Sequence, residues 1–255
     1  MDVNHDRVTS APFEDCSGRG VRILVVDSGV DGTHPMLAET SIAHYAVERG
    51  VNDAEAQVVA VASHDPIGHG TAVASIIRRL VPNAELSSVA VLGRKNRGTT
   101  ENLFVALDWA ASQGFDVVNV SLGTTYLSLL PKFKERLDRL YLAGCIVVSA
   151  CSNLDPDIVE YPAHFTSVIS VEQAKLATLA LERTSRLVEF RASGVDVFAA
   201  WRDGKMVSVT GSSFAAPHVS AIVARMKERH PHWNATEIKA ALYALVSPSP
   251  SPMPV

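Results

Sequence analysis

The stretch Val21-Arg22-Ile23-Leu24-Val25-Val26 constrains this chain more than any other, because it is apolar almost throughout and does not alternate. A strand with one wet face alternates; a strand covered on both faces does not. The run stops at Asp27-Ser28-Gly29, as a buried strand does where it meets a loop. Similar runs occupy 86–92, 117–121 and 145–150. Between them the spacing predicts helices over 71–80, 100–113 and 131–143, with Gly114 and Gly144 at C-terminal cap positions. Strands alternating with helices of this length imply βαβ crossovers. The predicted fold is therefore α/β, a mostly parallel central sheet with helices on both faces.

Beyond Tyr161 the pieces shorten, with strands predicted over 168–171, 186–190, 195–199 and 206–209 and a long helix over 213–229. His230-Pro231-His232-Trp233 breaks that helix, and Asn234 or Thr236 is placed to cap a last one through Leu245. No internal repeat or mid-chain linker divides the sequence. One domain over 20–246 is expected, preceded by a loose arm over 1–19 and followed by a disordered Ser/Pro tail over 247–255. A chain of 255 residues buries a substantial core. Its 23 Lys and Arg against 27 Asp and Glu exclude a strongly basic nucleic-acid binder. No apolar run approaches the roughly 18–20 residues that span a bilayer, so no membrane partner is expected. The first ten residues lack the apolar centre of a signal peptide, and three cysteines fit poorly with a disulfide framework. The location these features lead one to expect is the cytoplasm, or outside the cell if the chain is a trimmed mature form.

Chemistry in open α/β sheets gathers at the carboxyl ends of the strands. Asp27 ends the first strand in Val26-Asp27-Ser28-Gly29-Val30-Asp31-Gly32. His69 opens a helix in Gly68-His69-Gly70-Thr71, and Ser213 opens another in Gly211-Ser212-Ser213-Phe214-Ala215-Ala216-Pro217-His218-Val219. Each alone also fits a structural role: a turn carboxylate, a core histidine, a serine N-cap. Together they are the complement for nucleophilic acyl transfer. A serine hydroxyl attacks only when an imidazole takes its proton, and the imidazole needs a carboxylate to fix its tautomer.

These motifs resemble those of the subtilisin-like serine proteases, whose chain order is likewise Asp, His, Ser. The resemblance covers about residues 20–246 and is most specific at Gly-Ser-Ser-Phe-Ala-Ala-Pro-His-Val. It implies that Asp27 orients the base, that His69 is general base and then acid, and that Ser213 is the nucleophile. Asn153, at the end of Val147-Val148-Ser149-Ala150-Cys151-Ser152-Asn153, occupies the place of the family's oxyanion-donating asparagine, a plain turn residue being the alternative. The Ser213 amide at a helix N-terminus would be the second donor. Ser121-Leu122-Gly123 resembles the family's substrate-binding strand and Asn96-Arg97-Gly98 its partner. A peptide or protein substrate would lie between them as an added extended strand.

Several departures from the family pattern bear on specificity. Cys151-Ser152-Asn153 stands where Ala-Gly-Asn is usual, so the Ser152 hydroxymethyl narrows the pocket for the residue before the cut bond or makes it more polar. Cys151 reads as a small buried cysteine in preference to a second nucleophile. Glu160, before Tyr161-Pro162-Ala163, falls where many members carry a small residue at the pocket floor. A carboxylate there favours Arg or Lys in the substrate; the rival reading is a solvated glutamate in a loop already acidic through Asp155 and Asp157. The connection over 80–86 lacks the inserted loop that wraps a tight calcium ion in many secreted members. No strong calcium site, no other metal and no cofactor are expected, and only a weak calcium site stays open. His64 and His69 are off metal-ligand spacing, while Asp31 and Asp65 read as structural neighbours of the motifs.

With 26 residues before Asp27, the large folding propeptide of secreted relatives is expected to be missing, unless the chain is a trimmed mature form. The stretch 123–145 has ordinary length, without the inserted element of peptide-cyclising relatives, so hydrolysis is favoured over transpeptidation. The expected function is a serine endopeptidase acting through an acyl-enzyme, as a dedicated processing enzyme that trims a leader peptide or as a housekeeping protease. The alternatives are an inactive peptide-binding module with the same cleft and an esterase with little peptidase activity.

Overall fold

The computed structural model describes residues 13–49, 55–92, 99–155, 157–184 and 187–246. In chain order these form β1 (Arg22–Asp27), β2 (Ile42–Arg49), β3 (Ala56–Ala60), α1 (His69–Leu80), β4 (Glu85–Ala90), α2 (Thr100–Gln113), β5 (Val117–Val120), α3 (Leu130–Leu142), β6 (Ile146–Ala150), β7 (Val168–Ala174), β8 (Leu181–Arg183), β9 (Phe190–Ser193), β10 (Val197–Trp201), β11 (Lys205–Val209), α4 (Ser212–Arg229) and α5 (Ala235–Leu245).

A nine-stranded sheet runs in the order β3-β2-β4-β1-β5-β6-β7-β9-β8. Every pairing from β2 to β9 is parallel, and β3 and β8 close the two edges antiparallel. The non-alternating β1 run is explained by its two covers. Ile23 and Val25 enter the core shared with α1, α4 and α5, while Leu24 and Val26 enter the one shared with α2 and α3. Each such side chain, removed from water, contributes roughly 1.5–3 kcal/mol. The α/β architecture with helices on both faces is thus the one the sequence predicts. β10 and β11 form a separate antiparallel hairpin that leads directly into α4.

Helix ends follow local chemistry. Gly114 takes φ 70° at the C-cap of α2, a left-handed conformation glycine adopts without steric cost. Asn234 caps α5: its Oδ1 accepts from Thr236 and Glu237 amides at 2.9 and 3.1 Å, and Glu237 returns a bond to the Asn234 amide at 2.8 Å.

Two expectations need correction, and one pair of strands has no counterpart in the sequence reading. β2 and β3, an antiparallel pair at one edge, were not foreseen because half-buried sequences such as IAHYAVER show no clean period. Of the strand predicted over 186–190, Arg186 lies outside the described residues and β9 begins only at Phe190, just after Glu189, whose carbonyl accepts the Thr184 N–H. The arm is also not loose over 13–19. Phe13 and Cys16 are buried, and one Glu228 carboxylate oxygen accepts the amides of Ser17, Gly18 and Arg19 at 2.7, 2.6 and 3.1 Å. The remainder of the arm and the whole Ser/Pro tail lie outside the described residues. Among the described residues, no helix is long and apolar enough to cross a membrane.

Candidate active site

Asp27 sits at the carboxyl end of β1, between β4 and β5, where the strand order reverses direction. Crevices in such sheets open at that point. Its side chain is fully buried, with Oδ1 and Oδ2 at 2.8 and 3.0 Å from His69 Nδ1 and the Ser28 amide donating to Oδ1 at 2.7 Å. A carboxylate can only accept, so Nδ1 carries the hydrogen and Nε2 keeps its lone pair. His69 is the first residue of α1, and the helix start is pressed against the loop after β1. A Cβ on Gly70 would stand 2.0 Å from the Gly29 carbonyl oxygen, so only glycine allows this approach. The Phe214 ring packs on the imidazole with centroids 5.0 Å apart. Burial alone would lower the His69 pKa, but the charge and hydrogen bond of Asp27, with the charge of Asp65, outweigh it and raise the value above 6.5.

Ser213 lies in the first turn of α4, where its amide has no intrahelical acceptor. Its Oγ donates to the Ser121 carbonyl at 3.3 Å, a long bond that is readily exchanged. His69, Ser213, Asn153 and Ser121 to Gly123 line a single cleft of about 650 Å³. Asn153 is oriented by Ser212, a residue without a role in the sequence reading. The Ser212 amide donates to Asn153 Oδ1 at 2.7 Å, and its Oγ lies 2.9 Å from the same oxygen and 2.6 Å from the Cys151 carbonyl. With Oδ1 committed, the amide nitrogen of Asn153 is left as the donor. Buried bonds from Ser220 Oγ to Asn119 Oδ1 and from Asn119 Nδ2 to Ser121 Oγ, 2.9 and 3.0 Å, tie α4 to β5.

An adjoining pocket of about 240 Å³ is lined by Ser121, Gly123, Ser152, Asn153, Glu160 and Ser213, among others. Glu160 is therefore a pocket residue rather than a solvated surface glutamate. It lies so close to the wall that a Cβ on Gly123 would meet Glu160 Cγ at 2.9 Å and the Tyr161 carbonyl at 2.7 Å. Mutual Thr124 and Tyr161 backbone bonds, both 2.8 Å, hold the two segments together. Burial pushes the Glu160 carboxyl above the usual range, opposed by the charge of His164. Asn96, Arg97 and Gly98 lie outside the described residues. The Cys151 side chain packs with Ala163 and Val188, and burial, with the charges of Glu172 and Glu160, pushes its thiol up to about 12. It stays protonated and is no second nucleophile at neutral pH. All three cysteines are free and buried.

The Subtilase family pattern matches residues 18–246. The chain belongs to the subtilase family. A thermostable alkaline protease from Halalkalibacterium halodurans is 29% identical over 238 residues, which are 87% of this chain and 61% of that protein. Subtilisin DY from Bacillus licheniformis is 27% identical over 260 residues, 94% of this chain and 87% of that one. The chain thus spans less than two thirds of the first relative and most of the second. A solved cold adapted subtilisin-like serine proteinase superposes with a TM-score of 0.73 at 24% identity, covering 90% of this chain and 83% of that one, which establishes the shared fold. In this subtilase the sequence reading missed Ser212 and Phe214 because both act across long separations. Their adjacency to Ser213 is the one local signal that singles them out.

Proposed function

We propose that this subtilase is a serine endopeptidase in which Ser213 is the nucleophile, His69 the general base and acid, and Asp27 the group that orients it. The observation that carries this reading is the contact of both Asp27 oxygens with His69 Nδ1, in a cleft that also holds Ser213 and Asn153. His69 Nε2 takes the Ser213 proton as Oγ bonds to the substrate carbonyl carbon. The oxyanion so formed accepts from Asn153 Nδ2 and the Ser213 amide. Collapse breaks the C–N bond, and His69 passes its proton to the leaving amine. Water then enters, gives a proton to His69 and releases the acid, restoring Ser213. A fluorophosphonate probe tests this: labelling of the wild type that vanishes in Ser213→Ala supports the enzyme. An unlabelled wild type means a peptide-binding module, and turnover of small esters without peptides means an esterase.

The reading extends to substrate choice. Glu160 reaches the pocket with no hydrogen bond or ion pair to its carboxylate among the described residues, and a Lys or Arg side chain would supply both. Cleavage after basic residues, narrowed by Ser152, is the specificity this favours. Profiling on a peptide library decides it, and equal cutting after Phe or Leu defeats it. Three free thiols favour a reducing compartment and a dedicated intracellular processing role. α1 and β4 are joined through Val81 to Ala84 alone, and Asn83 Nδ2 there is committed to Ser17 Oγ at 2.8 Å. So short a connection is poorly suited to caging a tight calcium ion, and activity without one is part of the proposal.

A further inference from the structure

We propose that Asp65 is a positioning residue of the active site, a second carboxylate behind Asp27 that fixes the base-bearing end of α1 against the loop after β1. The inference rests on the peptidase reading above. Asp65 is 7% exposed, and its two oxygens accept five hydrogen bonds. Oδ1 takes the Ser28 hydroxyl at 2.9 Å and the amides of Ile67 and Gly68 at 3.0 and 2.8 Å. Oδ2 takes the Thr71 amide and hydroxyl at 2.9 and 2.7 Å. One carboxylate therefore grips the residue before His69 and the residue two beyond it.

Ser28 carries the same grip to Asp27. Its hydroxyl donates to Asp65 and accepts the Gly70 amide at 3.0 Å, while its own amide donates to Asp27 Oδ1 at 2.7 Å. Asp27 and His69 are thus located from behind by one buried group that touches neither. A carboxylate this close also acts through its charge, which adds to that of Asp27 in keeping the imidazole basic. The other titratable or charged groups on this side are Asp31, His64, Arg202 and Asp203, which line the pocket beside Asp65. Phe214, from α4, is uncharged.

Two substitutions separate position from charge. Asp65→Asn removes the charge and weakens the grip: kcat falls by about 10–10²-fold with KM nearly unchanged, as misplacement of a reacting group does. Its acid limb of kcat/KM against pH moves to lower pH. Ser28→Ala keeps the charge and cuts the link, so kcat falls while the acid limb stays. A helix-start brace without a part in catalysis would cost stability in urea melts and leave kcat per fluorophosphonate-titrated site, and the acid limb, at wild-type values. That outcome in both variants overturns the proposal, and Ser28→Ala keeps it falsifiable if Asp65→Asn does not fold. An unlabelled wild type would instead defeat the peptidase reading itself.

Discussion

Acidification should unfold this subtilase partly through one residue, His218. It lies on α4, 1% exposed, and neither ring nitrogen has a hydrogen-bond partner among the described residues. Burial, with a smaller push from the Arg79 charge, lowers its pKa from 6.5 to about 4. Between those values the unfolded chain binds a proton that the folded one refuses, so stability rises with pH across that window at about 1.4 kcal/mol per unit. The contribution is complete above pH 6.5 and lost as pH falls towards 4, about 3 kcal/mol in all, against roughly 5–15 kcal/mol for a whole domain. Urea melts of wild type and His218→Leu at pH 7, 6, 5 and 4 isolate it, since every other titrating group is common to both. The wild type should lose about 3 kcal/mol relative to the variant over that range. Parallel stability curves, or a folded-state His218 resonance that titrates near 6.5, would refute the reasoning.

On the proposed mechanism the raised pKa of His69 should put the acid limb of kcat/KM above pH 6.5, since a base must be neutral to act; a limb at or below 6.5 counts against the Asp27 and Asp65 charges as its cause. Asn153→Ala should lower kcat by about 10²–10³-fold, the range a subtilisin shows for loss of one such donor, with KM little changed. Phe133, wholly buried against Phe104 and Tyr161, should cost about 3–5 kcal/mol on truncation to alanine in a urea melt. A chelator should leave both the melting temperature and the rate of the purified enzyme where they were; a large drop in either would reveal a bound calcium ion.

What the sequence disclosed depended on how local the determining physics is. The β1 run was legible because burial on both faces removes alternation within six consecutive residues. The helix over 100–113 was legible through its Gly114 stop. Asp27, His69, Ser213 and Asn153 were legible through motifs at strand ends or helix starts, and the structure gathers them at one crevice. Asp65 was not, since its meaning comes from Ser28, 37 residues away. Ser212 was not either, since its amide donates to Asn153, 59 residues earlier. Glu160 was ambiguous in sequence because a loop rich in acids looks solvated; only the close approach of Gly123 shows that it faces a pocket. β2 and β3 stayed hidden for a different reason: an edge pair mixes wet and dry positions and leaves no period to find.

The Glu228 clasp on Ser17, Gly18 and Arg19 joins points about 210 residues apart, on either side of Asp27, His69, Asn153 and Ser213 in the sequence. During synthesis at about 5–20 residues per second, those three amides wait tens of seconds for their acceptor. Asp27 and His69 are made well before Ser213, whose helix also carries Glu228 itself. On the proposed mechanism the base is thus made long before the nucleophile it would serve. Closure of the clasp therefore follows the synthesis of every residue proposed to act in the cleft.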